Sequence, residues 1–195
     1  LKDVPYKKFM DLAVTIRMLV RVDETGMASA IVTHDHTARL GINEKELYNA
    51  ALENTEFLFP VRINKLEDVI RDLDSNGLVQ EELPDTGIYV LSNLPRIAGA
   101  TTILYAQDQI TQFAEGLECG FYIVPSSTNE VLLCPDNNDM DPEMLQRTAM
   151  EVNEFVVSDT EFLSNSIYHF DKDSREIKME LPDPQIDDRQ NQRRI

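Results

Sequence analysis

The fold is indicated most clearly by residues 121–134, which read FYIVPSSTNEVLLC. Two short runs of aromatic, aliphatic and β-branched residues, 121–124 and 131–134, flank a polar stretch that begins with Pro125. Runs of this kind, joined by a few turn-forming residues, are typical of a β-hairpin. We therefore predict two antiparallel strands here.

Other runs with strand propensity lie on both sides of this hairpin. Residues 167–170 and 176–179 predict a second hairpin, and residues 28–33, 88–91 and 101–105 predict single strands. Because short loops separate consecutive strands, antiparallel pairing is favoured over a parallel α/β sheet.

Apolar residues recur at helical spacing in the other segments. A stripe from Phe9 to Val20 predicts a first helix, and Asn43 with Glu46 has the spacing of a capping box that starts a second. Residues 66–73 and 110–117 continue the pattern, and Asp141 before Pro142 starts the last helix. We expect one α+β domain over residues 1–180, with a mainly antiparallel sheet of about six to seven strands and about five helices largely on one face. The polar residues 181–195 are predicted to be a disordered tail.

The chain of 195 residues has 35 acidic and 18 basic side chains, a net charge of −17. The excess is concentrated in residues 43–86, with eleven acids against four bases, and in residues 135–161, with eight against one. Such a surface repels phosphate groups, so binding to nucleic acid or to an anionic membrane is not expected. It favours solubility and a protein partner, and a basic protein is one such partner.

The two cysteines, Cys119 and Cys134, lie beside apolar residues and outside any CxxC motif. This usage is typical of reduced thiols in a cytoplasmic protein. No run of about 20 apolar residues is present, so we predict no membrane span. The sequence begins with Leu1 rather than Met, and an upstream segment is therefore expected.

Candidate catalytic residues are few. Ser126, Ser127 and Glu130 lie in the PSSTNE segment, and Asn153 and His169 are polar residues elsewhere in the chain. A serine nucleophile needs a base within hydrogen-bond reach, and the chain has no GxSxG elbow. Serines after a proline are also ordinary turn residues. Both interpretations stay open, and the turn is favoured.

His34, Asp35 and His36 are candidate metal ligands, because His34 and His36 would share a face if they lay on a strand. Three ligands leave a zinc site short of the four that structural sites have, and no HExxH motif accompanies them. A polar loop or strand end is the favoured alternative. The absence of GxxxxGK[ST] and GxGxxG motifs leads us to predict no cofactor.

Several segments taken together resemble a bacterial family, the domain of unknown function numbered 5688. They lie in residues 1–5, 11–13, 54–55, 89–93, 99–105, 122–127, 130–131, 151–153 and 163–168. The resemblance implies a bacterial cytoplasmic protein, often encoded near mobile genetic elements, with one domain that continues upstream. Many members have a histidine where this chain has Asn129, so catalysis that depends on that histidine would be lost here. The resemblance implies no activity, cofactor or partner.

Three functions follow as hypotheses. The first is a non-catalytic acidic domain that binds or regulates a protein partner. The second is a hydrolase or transferase with a site near the PSSTNE segment. The third is a DNA-mimic inhibitor, which would need carboxylates spaced like phosphates along one face.

Overall fold

A computed structural model of the chain describes residues 2–23, 26–74, 83–137, 140–185 and 193–194. The strands are β1 (Tyr6–Phe9), β2 (Leu12–Thr15), β3 (Arg17–Asp23), β4 (Gly26–Ile31), β5 (Val61–Lys65), β6 (Tyr89–Asn93), β7 (Phe121–Ser127), β8 (Glu130–Pro135), β9 (Ile167–Asp171), β10 (Glu176–Leu181) and β11 (Arg193–Arg194). The helices are α1 (His34–Leu40), α2 (Glu44–Leu58), α3 (Leu66–Leu73), α4 (Thr102–Tyr105), α5 (Gln107–Leu117) and α6 (Pro142–Val156), and a 3-10 turn covers Gly99–Thr101.

The main sheet has six strands in the order β10-β9-β7-β8-β6-β5, and all neighbouring strands are antiparallel. The hairpin predicted from residues 121–134 is its centre, with Ile123 opposite Leu133. The second predicted hairpin forms the edge, with Phe170 opposite Ile177. The α+β class and the mainly antiparallel sheet are therefore confirmed.

The helices are divided between the two faces of the sheet rather than gathered on one. Ile103 and Ile110 of α4 and α5 pack against Phe121 and Leu133 in the larger apolar cluster. Leu145 of α6 packs on the opposite face, against a smaller apolar cluster. Successive side chains of a strand point to opposite faces of the sheet. Because residues 121–124 are apolar at every position, both faces have apolar side chains that other elements must bury.

The first predicted helix is wrong. Residues from Tyr6 to Asp23 form three strands, and a two-residue turn, Met10 and Asp11, joins the first two. Leu12, Ala13 and Val14 are buried in succession, as in a strand covered on both faces. A continuous apolar run also matches helical spacing by chance, and this coincidence produced the error.

The strand predicted over residues 101–105 is also wrong. Gly99–Thr101 forms a 3-10 turn and α4 follows it directly. The hydroxyls of Thr101 and Thr102 donate to the carbonyls of Ala98 and Gly99, at 2.7 and 2.6 Å. These local bonds satisfy the helical turn and outweigh the strand propensity of the two threonines.

The start of the predicted tail belongs to the folded part of the chain. Leu181 ends β10, and the carboxylate of Asp183 is buried and accepts a hydrogen bond from the backbone N–H of Asn165 at 3.0 Å. The backbone of Arg193–Arg194 pairs with β2 in parallel. The rest of the predicted tail, residues 186–192 and 195, lies outside the described residues.

Candidate functional site

The PSSTNE segment forms the closed end of the β7–β8 hairpin. Ser127 lies opposite Glu130, and the strand register is irregular between Val124 and Ser127. Ser126 and Ser127 are both buried, and the hydroxyl of Ser127 accepts a hydrogen bond from the backbone N–H of Asn129 at 3.2 Å. This contact is typical of a turn residue, and a turn was the interpretation that the sequence favoured.

Glu130 is engaged by a cation rather than by a serine. Its carboxylate forms an ion pair with Arg96, and both side chains are about three-quarters buried. The carboxylate is thus engaged in a charge-assisted hydrogen bond and is not bonded to a serine hydroxyl. Asn129 is fixed as well, since its side-chain amide donates to Glu161 at 2.9 Å and its carbonyl accepts from Ser92 at 2.6 Å.

Asn153 and His169 make their hydrogen bonds to residues outside this turn. Asn153 is buried on α6 and donates to the side chain of Asn165 at 3.3 Å. His169 lies opposite Tyr122, near the start of β7, and its Nε2 is 2.7 Å from Asp136. Ser126 lies four positions after Tyr122 on β7. At ~3.3 Å per position in a strand, the two residues are about 13 Å apart. The structure thus brings Ser127 and Glu130 together and places His169 elsewhere. The side chain of Asn153 is bonded to Asn165 and not to the serines or to Glu130.

The histidine pair lies on a helix, not on a strand or loop. His34, Asp35 and His36 form the first turn of α1, where residues two apart point to opposite sides. The Nδ1 of His36 accepts a hydrogen bond from the backbone N–H of Thr33 at 3.1 Å, and His34 lies 3.7 Å from Glu44. The prediction of a shared face is therefore wrong. Across the described ranges, no group of three or more His, Cys, Asp or Glu side chains could hold a metal ion.

A cysteine lies near the His169–Asp136 pair. Burial and the Asp136 carboxylate raise the pKa of the Cys119 thiol. Nucleophilic cysteines need a lowered pKa, which a neighbouring cation or a helix N-terminus provides. Burial also raises the pKa of Cys134 to about 12. Neither thiol is activated in this fold.

Asp11 organises a polar cluster that the sequence did not single out as a site. One carboxylate oxygen accepts hydrogen bonds from the hydroxyls of Ser164 and Ser166, at 2.5 and 3.0 Å. The other accepts from Tyr168 at 2.6 Å, and burial together with the Asp11 charge raises the pKa of that phenol. The only indication of this cluster in the sequence was the family resemblance, because Asp11, Ser164 and Tyr168 lie in the segments on which that resemblance rests. The cluster joins the β1–β2 turn to β9.

An apolar groove of about 800 Å³ lies beside the main sheet. Its walls are the β3–β4 hairpin, α1, α2 and α4, and Thr128 of the β7–β8 turn also lines it. Most of the wall is aliphatic, with Val14, Ile16, Met18, Leu19, Met27, Val32, Leu40, Leu47, Leu52, Leu58, Ile97 and Leu104. A smaller hollow of about 340 Å³ lies beyond Ile16 and Tyr48, which border both.

The walls of this groove have little other packing. The β3–β4 hairpin forms a sheet of its own, and none of the fifteen residues of α2 is buried. Met18, Leu40 and Leu58 are 51%, 67% and 46% exposed. Isolated hairpins are marginal in water, and contiguous exposed apolar surface marks an interaction site. The groove is therefore the candidate functional site.

A family model matches residues 1–172, which include the groove and the Asp11 cluster. The chain belongs to the family of unknown function DUF5688. No curated protein and no solved structure matches it. Within this DUF5688 domain, no described helix has the length and apolar character that crossing a bilayer requires.

Proposed function

We propose that this domain is a non-catalytic binding module, which receives an amphipathic helix of a partner protein in the groove between β3–β4, α1 and α2. The observation that carries the proposal is the groove itself, about 800 Å³ of space with mostly aliphatic walls. An amphipathic helix buries one apolar face in such a groove and leaves its polar face in water.

A helix suits the groove better than a small molecule does. Pockets for small molecules cover most of the surface of their ligand, whereas the walls of this groove include side chains that are themselves largely exposed, such as Met18 and Leu40. Met18 and Met27 line it from the two strands of the hairpin. Methionine side chains are flexible, and they are common on surfaces that adapt to helical partners.

Binding would also complete the packing of the walls. Burial of apolar area is worth about 25 cal/mol per Å², and the exposed parts of Met18, Leu40 and Leu58 are available for it. The hairpin and α2 would each gain the apolar contacts that they lack in the free domain.

The arrangement of polar residues supports binding rather than catalysis. Ser127 is engaged in its own turn and Glu130 in an ion pair with Arg96. His169 pairs with Asp136, whose carboxylate also contacts Cys119, and burial together with that carboxylate raises the pKa of the thiol. Catalysis by a serine or cysteine needs the base next to the nucleophile.

We place this binding function in the bacterial cytoplasm. The free thiols of Cys119 and Cys134 support that compartment, because reduced cysteines are usual there. The basic partner expected from composition is a separate prediction, which concerns the acidic outer faces of α2 and α6.

The test uses a displayed library of 18-residue peptides with apolar residues at i, i+3, i+4 and i+7, and Glu, Lys or Gln in equal proportion at the other positions. Peptides selected on the full chain are then measured by fluorescence anisotropy with two variants of α2. Leu58→Glu places a charge in the groove, while Phe57→Glu places one on a side chain that is 84% exposed and outside it.

We expect Leu58→Glu to weaken binding at least tenfold, about 1.4 kcal/mol, because a carboxylate is costly against an apolar face. Phe57→Glu should leave affinity within about twofold, the range of ordinary surface substitutions. If no peptide is enriched, or if the two variants bind equally well, the proposed function is wrong.

A further inference from the structure

The charges in the groove are opposite in sign to those of the chain as a whole. Among the described residues, the lining includes Arg17, Arg39 and His36 but no aspartate or glutamate. In the whole chain, by contrast, 35 acidic side chains outnumber 18 basic ones. The groove is therefore a local basic region in an acidic protein.

Arg17 is held in position for a ligand. Its Nε donates to the hydroxyl of Ser29 at 2.8 Å, and one terminal nitrogen donates to the Ser29 carbonyl at 3.1 Å. A guanidinium has five N–H donors, so these bonds to β4 leave donors for another acceptor. Because its orientation is set by the hairpin, less side-chain entropy is lost when a carboxylate binds.

Arg39 supplies the second charge, from the last turn of α1. Within the described parts of the chain, neither Arg17 nor Arg39 forms an ion pair with a carboxylate. Arg71, Arg96 and Arg175, by contrast, each form one. Two uncompensated guanidinium groups beside an apolar wall match an acidic side chain on an amphipathic helix.

We infer that the helix received by the groove is acidic, with glutamate or aspartate beside its apolar face where it meets Arg17 and Arg39. The inference rests on the proposed function and names the class of its partner. The net charge of −17 repels such a helix at long range. That field is screened beyond about 8 Å at physiological salt, so contacts inside the groove decide which helices bind.

The same library tests the inference, restricted to peptides whose binding is lost with Leu58→Glu. We expect their variable positions to be enriched in glutamate over lysine. The double variant Arg17→Gln, Arg39→Gln should weaken these peptides about three- to tenfold, the sum of two partly exposed ion pairs. Arg62→Gln, on exposed β5 surface outside the groove, is the matched control and should have no effect.

Because Arg17 also bonds to Ser29, the double variant could loosen the hairpin. Arg39→Lys and Arg39→Gln, measured alone, separate charge from structure, since only the glutamine variant should weaken binding. Groove-dependent peptides that are neutral or basic would overturn the inference while leaving the proposed function in place, as would unchanged affinity in the glutamine variants. The absence of any groove-dependent peptide overturns both.

Discussion

The main sheet and the groove region contrast in how their apolar side chains are packed. Phe121, Ile123 and Leu133 at the centre of the sheet have no exposed surface, and helices cover both faces. In α2 no residue is buried, although it is one of the two longest described helices. Both regions contain leucine side chains, such as Leu133 in the sheet and Leu47 and Leu58 in α2, so the presence of apolar residues does not by itself decide burial.

The contrast indicates which part of the molecule provides stability and which part is available for binding. Apolar burial is the main favourable contribution to folding, and it is nearly complete around β7 and β8. The groove walls keep apolar surface in contact with water, and this surface contributes to stability only when it is covered. Three pairs of substitutions would break or sharpen this comparison.

The largest effect is expected in the sheet. Leu133→Ala should reduce the free energy of unfolding by about 2–5 kcal/mol, since it leaves a cavity in a fully packed site. Leu58→Ala, in the groove, should cost less than about 1 kcal/mol, because its side chain is already 46% exposed. Urea unfolding of both variants measures the difference. Equal losses would show that the groove walls are packed as the core is.

The next effect is expected at the Asp11 cluster, which connects the N-terminal strands to the sheet. Asp11→Ala removes the acceptor for Ser164, Ser166 and Tyr168 and should cost about 2–3 kcal/mol, because buried hydroxyls are left unpaired. Tyr168→Phe removes only one of these bonds, and we expect about 1 kcal/mol in the same unfolding assay. A loss from Asp11→Ala no larger than that from Tyr168→Phe would contradict the assignment of Asp11 as the centre of the cluster.

The smallest effect concerns Gly99, where the groove wall meets the hairpin turn. A methyl group at Gly99 would overlap the carbonyl of Asn129 and the hydroxyl of Ser92. Gly99→Ala should therefore cost about 1–3 kcal/mol. Gly116→Ala, inside α5 with open space around it, should instead stabilise by up to about 1 kcal/mol, as alanine does in helices. Thermal unfolding shows whether each variant raises or lowers the melting temperature. Destabilisation by both variants would refute the steric explanation.

Short sequence patterns correctly predicted the helix caps and the hairpins, which are determined by residues close together in the chain. The capping pair of Asn43 and Glu46 is present, with bonds of 3.0 and 2.9 Å, and Asp141 caps α6 as expected. Turn chemistry placed both hairpins correctly. The errors fell on residues 6–23 and 101–105, where apolar spacing or strand propensity suits more than one structure.

The sequence by itself determined the class of this protein: an α+β domain with antiparallel hairpins, a net charge of −17 and no motif for a metal or a cofactor. Those properties follow from periodicity and turn residues, which involve only a few neighbouring residues, and from composition, which is a sum over the whole chain. Only the tertiary structure decided that Ser127 and Glu130 are engaged in a turn and an ion pair. It also decided that Arg17 and Arg39, on different elements, line one apolar groove. Contacts of this kind join residues far apart in the chain, and no local pattern encodes them.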